Sequence, residues 1–214
     1  MDNNADRELV GKLSKNVQKQ IERLDKLDIY TSKHVHSVPQ IVNRMCQKLN
    51  YESKERNFLV QCAYLHDIGK IFIPQEILQK KESLTEEEYE IMKTHTTQGA
   101  NFCESLESLK KYSNVAHFHH ENEDGSGYPE GITNIPIEAE IIKIADIYDA
   151  LVCKRQYKEE MKITKAIEIL KESLIDKGLS DKRIFAALLD VIIDSEQINQ
   201  EEKEYINKIK DQIK

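Results

Sequence analysis

Cysteine, proline and glycine are scarce in this chain of 214 residues, and each scarcity excludes something. The four cysteines (Cys46, Cys62, Cys103, Cys153) lie far apart and form no CxxC pair. A thiolate zinc site and a disulfide framework are thereby excluded, and the cysteines read as buried thiols in a reducing cytoplasm. Four prolines and seven glycines leave long stretches uninterrupted, and strand-type alternation of apolar and polar residues is almost absent. The remaining periodicity is helical, so the expected fold class is all-α. Apolar runs such as 141–147 are short and broken by charge. They fall far below the roughly 20 residues a transmembrane helix needs. The N-terminal MDNNADRELV lacks the apolar core of a signal peptide. Basic charge is also in deficit, with 31 basic against 38 acidic residues and a net charge of -7. That disfavours a nucleic-acid polymer as partner, while leaving room for a local basic patch around a small phosphorylated ligand.

Periodicity places a charged helix of low amphipathicity over 6–26, read as a lead-in or a dimer element. Further helices are expected over 31–50 with a kink at Pro39, over 53–66, and from a Thr85–Glu88 capping box to 103. The next runs over 109–120 into the loop ENEDGSGYPEGITNIP, which holds three of the seven glycines and two of the four prolines. Helices over 137–153, 164–175, 181–194 and 201–213 complete the chain. No internal repeat or Gly/Ser linker divides it.

Helical geometry sorts the seven histidines. His34 shares a face with Val38, Ile41 and Met45, whereas His36 shares one with Gln40, Asn43 and Gln47, so His34 points inward and His36 outward. His66 lies with Leu59, Cys62 and Ala63, and Asp67 follows it. His95 lies with Ile91, Gly99 and Phe102. His119 and His120 end a helix, and Asp146 interrupts a helix rich in Ile and Ala. A single inward histidine is usually a hydrogen-bonded core residue. Five of them with two inward carboxylates, which are costly to bury unless paired or metal-bound, form the pattern of a metal centre inside a helical bundle. Imidazole and carboxylate without thiolate suit Mn, Fe, Co or Zn. Seven candidates exceed the need of one closed zinc and indicate two ions with open positions. His36 and His117 are left outside this set.

The run His66-Asp67-Ile68-Gly69-Lys70, the triplet His119-His120-Glu121 and the segment from Asp124 through Tyr128-Pro129 to Gly131 together resemble the HD-GYP branch of the HD-domain phosphohydrolases. The likeness extends from the helix of His34, through the segment ending in His95, to Asp146, Asp149, Arg155 and Lys158. The resemblance implies an all-α HD-domain helical bundle around a di-metal, or alternatively tri-metal, centre. The catalytic domain would span 28–195, with 1–27 as a helical lead-in and 196–214 as a helix packed on or extending it. Carried over by position, the metal ligands are His34, His66, Asp67, His95, His119, His120 and Asp146. Asp67 bridges two ions and acts in catalysis with Lys70, which contacts the scissile phosphate. Substrate contacts are assigned to Lys70, Tyr128, Asp149, Arg155 and Lys158. For Tyr128 the alternatives are packing on a base or pinning the loop. For Asp149 they are orienting a ligand or an ordinary salt bridge.

The implied cofactors are two divalent ions, Fe or Mn first and Co, Ni or Zn next. The implied reaction is hydrolysis of cyclic di-GMP to pGpG and onward to GMP, with 3′,3′-cyclic GMP-AMP as alternative substrate and a non-catalytic binding module as alternative role. A diguanylate cyclase domain docking on the GYP loop and a homodimer are the implied protein partners, and the location is cytoplasmic. Three departures from the family pattern bear on substrate and ion number. Tyr30 replaces a glutamate used by some members for a third metal, Glu140 replaces a frequent arginine, and 154–157 reads KRQY.

Overall fold

The computed structural model describes residues 13–153 and 161–213, and every regular element among them is helical. Helix α1 (Lys15–Leu24) starts at Ser14, whose hydroxyl accepts from the Val17 amide. The expectation of low amphipathicity is corrected here. Val17, Gln20, Ile21 and Leu24 are buried, a stripe at i, i+3, i+4 and i+7, while Lys15, Lys19, Glu22 and Arg23 face solvent. The helix packs on α3 (Ser53–Leu65) and belongs to the main core. Residues 6–12 lie outside the described residues. Leu24 has no exposed surface. Leu24→Ala should therefore lower unfolding free energy by about 2–5 kcal/mol, read by urea denaturation.

Helix α2 (Ile29–Lys48) is capped by Asp28, whose carboxylate accepts from the amides of Tyr30 (2.8 Å) and Thr31 (2.9 Å). It continues through Pro39 at the cost of one backbone hydrogen bond. It packs against α3, α8 (Ile137–Val152) and α10 (Lys182–Ile193), which makes it the central helix. After α3 the chain tightens into a 3₁₀ turn, Ile68–Phe72, followed by the short α4 (Gln75–Leu78). Gly69 sits in that turn because nothing larger fits. A Cβ there would lie 1.8 Å from the carbonyl oxygen of His95 and 2.6 Å from the amide nitrogen of Gly99. The close crossing brings the His66–Asp67 turn against the start of α6.

The Thr85–Glu88 capping box is present and opens α5 (Glu86–Lys93), but the expected single helix to 103 is two. Thr94 breaks it: both its amide (3.1 Å) and its hydroxyl (2.6 Å) donate to the Ile91 carbonyl, a three-residue closure. A new helix, α6 (His95–Glu104), begins with His95. The expected helix over 109–120 is a 3₁₀ turn, Lys110–Tyr112, and α7 (Ser113–Phe118). Helix α8 follows the glycine-rich loop, and α9 (Ile163–Leu170) continues as a π-helical segment, Lys171–Ile175. Helix α11 (Gln200–Ile213) buries Ile206, Ile209 and Ile213 against α9 and α10. Among the described residues no helix is long and apolar enough to cross a membrane.

Candidate metal centre

Five parts of the fold deliver the candidate ligands to one point: α2 carries His34, the turn after α3 carries His66 and Asp67, α6 starts with His95, the end of α7 leads into His119 and His120, and α8 carries Asp146. Three rings turn back onto main-chain carbonyls. His66 Nδ1 meets Ala63 O at 2.7 Å, His95 Nδ1 meets Met92 O at 2.8 Å, and His119 Nδ1 meets Val115 O at 3.0 Å. A carbonyl only accepts, so each Nδ1 carries the proton and each Nε2 keeps its lone pair for the centre. His34 is held in the same sense by Asp149, whose carboxylate lies 2.6 Å from Nδ1.

The nitrogen and oxygen atoms fall into two groups, His34 with His66 and Asp67, and His95 with His119 and His120. Asp67 faces both. Its Oδ2 lies 3.6 Å from His34 Nε2 and 3.4 Å from His66 Nε2, and its Oδ1 lies 3.4 Å from His95 Nε2 and 3.9 Å from His119 Nε2. Asp146 Oδ1 stands 3.0 Å from His34 Nε2. Two observations show that these residues fit cations. The buried His66 Nε2 has no hydrogen-bond partner. His95 Nε2 and His119 Nε2 face each other at 3.3 Å, although the carbonyls behind both rings leave lone pairs on both nitrogens. A divalent cation relieves each of these.

Electrostatics divide the groups. Burial and neighbouring imidazoles keep His119 well below the ordinary histidine range, and burial together with His95 lowers His120 to about 3. Burial lowers His95 too. These three are neutral at pH 7. Burial also opposes a charge on His34, but hydrogen bonds and charge from Asp146 and Asp149 outweigh it and raise its pKa to about 9. Asp67 and Asp146 stay ionised well below the usual carboxylate range. Burial works against both, yet Lys70 and His66 prevail at Asp67, and His34 at Asp146.

A folded pKa raised from 6.5 to about 9 stabilises the metal-free protein fully below pH 6.5, a contribution lost as pH climbs towards 9. His95, His119 and His120 contribute no opposite trend in that window, because their lowered pKa values act below it. The melting temperature of chelator-treated protein should therefore fall between pH 6.5 and 9. A metal held by His34 would take the place of its proton, so the loaded protein should melt higher throughout and lose that slope. Differential scanning calorimetry at several pH values checks this.

The centre forms the floor of an open cavity of about 470 Å³, with His34, His95, His120 and Lys70 lining it below and Tyr30, Leu78, Leu84, Tyr89, Met92 and Tyr128 as walls. Lys70 donates to Asp67 Oδ2 from one turn further along. The Tyr128 ring stacks on His120 at 4.7 Å between centroids. Tyr30, one turn before His34, offers the cavity a phenol and no third carboxylate. Asp149, assigned above to the substrate, is 1% exposed, and its carboxylate is engaged by His34 and the Cys153 thiol behind the His34 ring. Arg155 and Lys158 lie outside the described residues. His36 and His117 stand apart from the centre, on Asp25 (3.0 Å) and Glu130 (2.8 Å).

Sequence reasoning missed two buried polar residues beside the site, Glu121 and Lys143. Glu121 has no exposed surface, and Lys143, 2% exposed, donates to the carbonyls of Glu121 (3.0 Å) and Leu179 (2.9 Å). The signal for Lys143 was its place between Ile142 and Ile144, one turn before Asp146. The signal for Glu121 was its adjacency to two ligands.

Residues 13–176 match the HD domain family. A cyclic di-GMP phosphodiesterase of Thermotoga maritima is 38% identical over 165 residues, covering 75% of this chain and 45% of the relative. The 3′3′-cGAMP-specific phosphodiesterase 3 of Vibrio cholerae is 35% identical over 161 residues, covering 74% and 35%. The chain thus spans less than half the length of these curated relatives. The HD domain of the L. monocytogenes phosphodiesterase PgpH, solved with cyclic-di-AMP, superposes with a TM-score of 0.62 at 19% identity, covering 85% of this chain and 99% of that one, which shows the shared fold. With the motif residues converging on one buried centre in an all-helical fold, the chain belongs to the HD-domain family, in its HD-GYP branch.

Proposed function

We propose that the chain is a metal-dependent phosphodiesterase that hydrolyses cyclic di-GMP to pGpG, and pGpG onward to GMP. The observation that carries this reading is Asp67, which turns one oxygen to each of two ligand groups on the floor of an aromatic-walled cavity, beside Lys70. Two divalent ions, Fe or Mn, would be held by His34, His66, Asp67 and Asp146 on one side and by Asp67, His95, His119 and His120 on the other. When bound, they neutralise phosphodiester charge and make water a nucleophile at neutral pH. The chain's own part is positional. Main-chain carbonyls and Asp149 fix the rings of His34, His66, His95 and His119, so that no reorientation is needed when the substrate arrives. Lys70 places a cation where a phosphate entering the cavity develops charge. Tyr128 and Tyr89 offer ring faces to the bases, and Arg155 and Lys158 would hold the phosphates or guanine. Buried free thiols at Cys46, Cys62 and Cys103 accord with action in the cytoplasm. The GYP loop is the surface on which a diguanylate cyclase domain would dock.

The Vibrio relative's name favours one second reading, with 3′,3′-cyclic GMP-AMP as substrate. Anaerobically purified protein loaded with Fe(II) or Mn(II) and offered cyclic di-GMP, 3′,3′-cyclic GMP-AMP and pGpG separately decides between them. Faster loss of cyclic di-GMP, with pGpG and then GMP appearing, is expected. Faster turnover of the hybrid dinucleotide would replace the first reading with the second.

A further inference from the structure

Glu121 follows two ligands in sequence and belongs to neither metal group. Its Oε1 accepts hydrogen bonds from the main-chain amides of Glu130 (2.7 Å) and Gly131 (3.0 Å), nine and ten residues on. Its own carbonyl is held from behind by Lys143, on the helix that carries Asp146. In front, the Tyr128 amide donates to the His120 carbonyl at 3.2 Å and the Tyr128 ring covers His120. The loop rests directly on this backbone, since a Cβ at Gly127 would meet Glu121 Cα at 2.4 Å.

We propose that Glu121 is a positioning residue that docks loop 125–131 onto the segment bearing His119 and His120, and so sets Tyr128 as a wall of the nucleotide cavity. The proposal rests on the reading of that cavity as the substrate site. The physical reason is the demand of two partly buried amides for an acceptor that the irregular loop itself does not supply. One carboxylate oxygen meets both, while Oε2 has no hydrogen-bond partner. The role therefore needs an acceptor of this length and not a negative charge, and the amide oxygen of glutamine serves it.

The test combines hydrogen exchange, followed by mass spectrometry on the metal-loaded full chain, with steady-state kinetics. E121A should speed exchange about tenfold or more within 125–131 and leave α2 and α8 unchanged. It should retain the wild-type metal content and raise KM about tenfold with a smaller change in kcat. E121Q should stay within about threefold of wild type in both readouts. Should E121A fail to fold, E121D, one methylene short of the two amides, should give the same local increase in exchange. Unchanged loop exchange, a uniform rise over the whole chain, or E121Q as defective as E121A would each overturn the proposal. Exchange needs no substrate. Failure of wild-type protein to hydrolyse cyclic di-GMP is therefore a separate result that contradicts the proposed function alone.

Discussion

Asp67→Ala should lower metal-dependent hydrolysis by about a thousandfold or more, while the protein stays folded. Asp67 turns its two oxygens to both ligand groups, within 3.4–3.9 Å of His95 and His119 on one side and 3.4–3.6 Å of His34 and His66 on the other. Removing it takes away the carboxylate that lies between the two imidazole clusters, and each of two bound ions would lose a ligand. It also strips Lys70 of its partner, so the cation facing the cavity is no longer fixed. Tertiary structure should persist, because Asp67 lies in a turn and the apolar core is untouched. Asp67→Asn keeps the shape but removes the charge, so it should retain some metal and still lose most turnover. Metal content by mass spectrometry together with product chromatography checks both variants. An alanine variant with near-wild-type turnover would remove Asp67 from the centre.

A loss of stability that reaches the metal centre is expected from Gly69→Ala. The added Cβ would meet three main-chain atoms of the α6 start, His95 O, His95 C and Gly99 N, at 1.8–2.7 Å. Backbone cannot move aside as a flexible side chain can, so the turn and α6 must separate by more than an ångström. The expected cost is about 3 kcal/mol or more, at the upper end of overpacking penalties. For a chain of this size that is a fall in melting temperature of about 6–12 °C. The separation is the one between His66–Asp67 and His95, so metal affinity should fall with it. Thermal melts with and without metal read both effects. A variant as stable as wild type would mean that the two segments do not cross so closely.

The site was more legible in the sequence than its supports. His34, His66, His95 and Asp146 announce themselves as polar residues on apolar helix faces, and Asp67, His119 and His120 follow from motif and adjacency. Helix ends were less legible. The break at Thr94 is a single residue bonding back to Ile91, and apolar periodicity on either side does not register it. Helix α1 was misjudged because its charged residues dominate the composition, although four buried positions form a stripe. The partners of Asp149, Glu121 and Lys143 were hidden for a common reason. Each acts through a partner far along the chain, at His34, at Glu130 and Gly131, and at Leu179, and no local pattern encodes such pairings. A buried charge read alone is indistinguishable from a solvated one.

Two ions joined by Asp67 should act together in hydrolysis, and activity measured against equivalents of Mn(II) added to metal-free protein shows whether they do. Turnover of cyclic di-GMP should stay low up to one equivalent per chain and rise steeply between one and two, with no further gain beyond. Full activity at one equivalent, or none at confirmed occupancy by two, would contradict this.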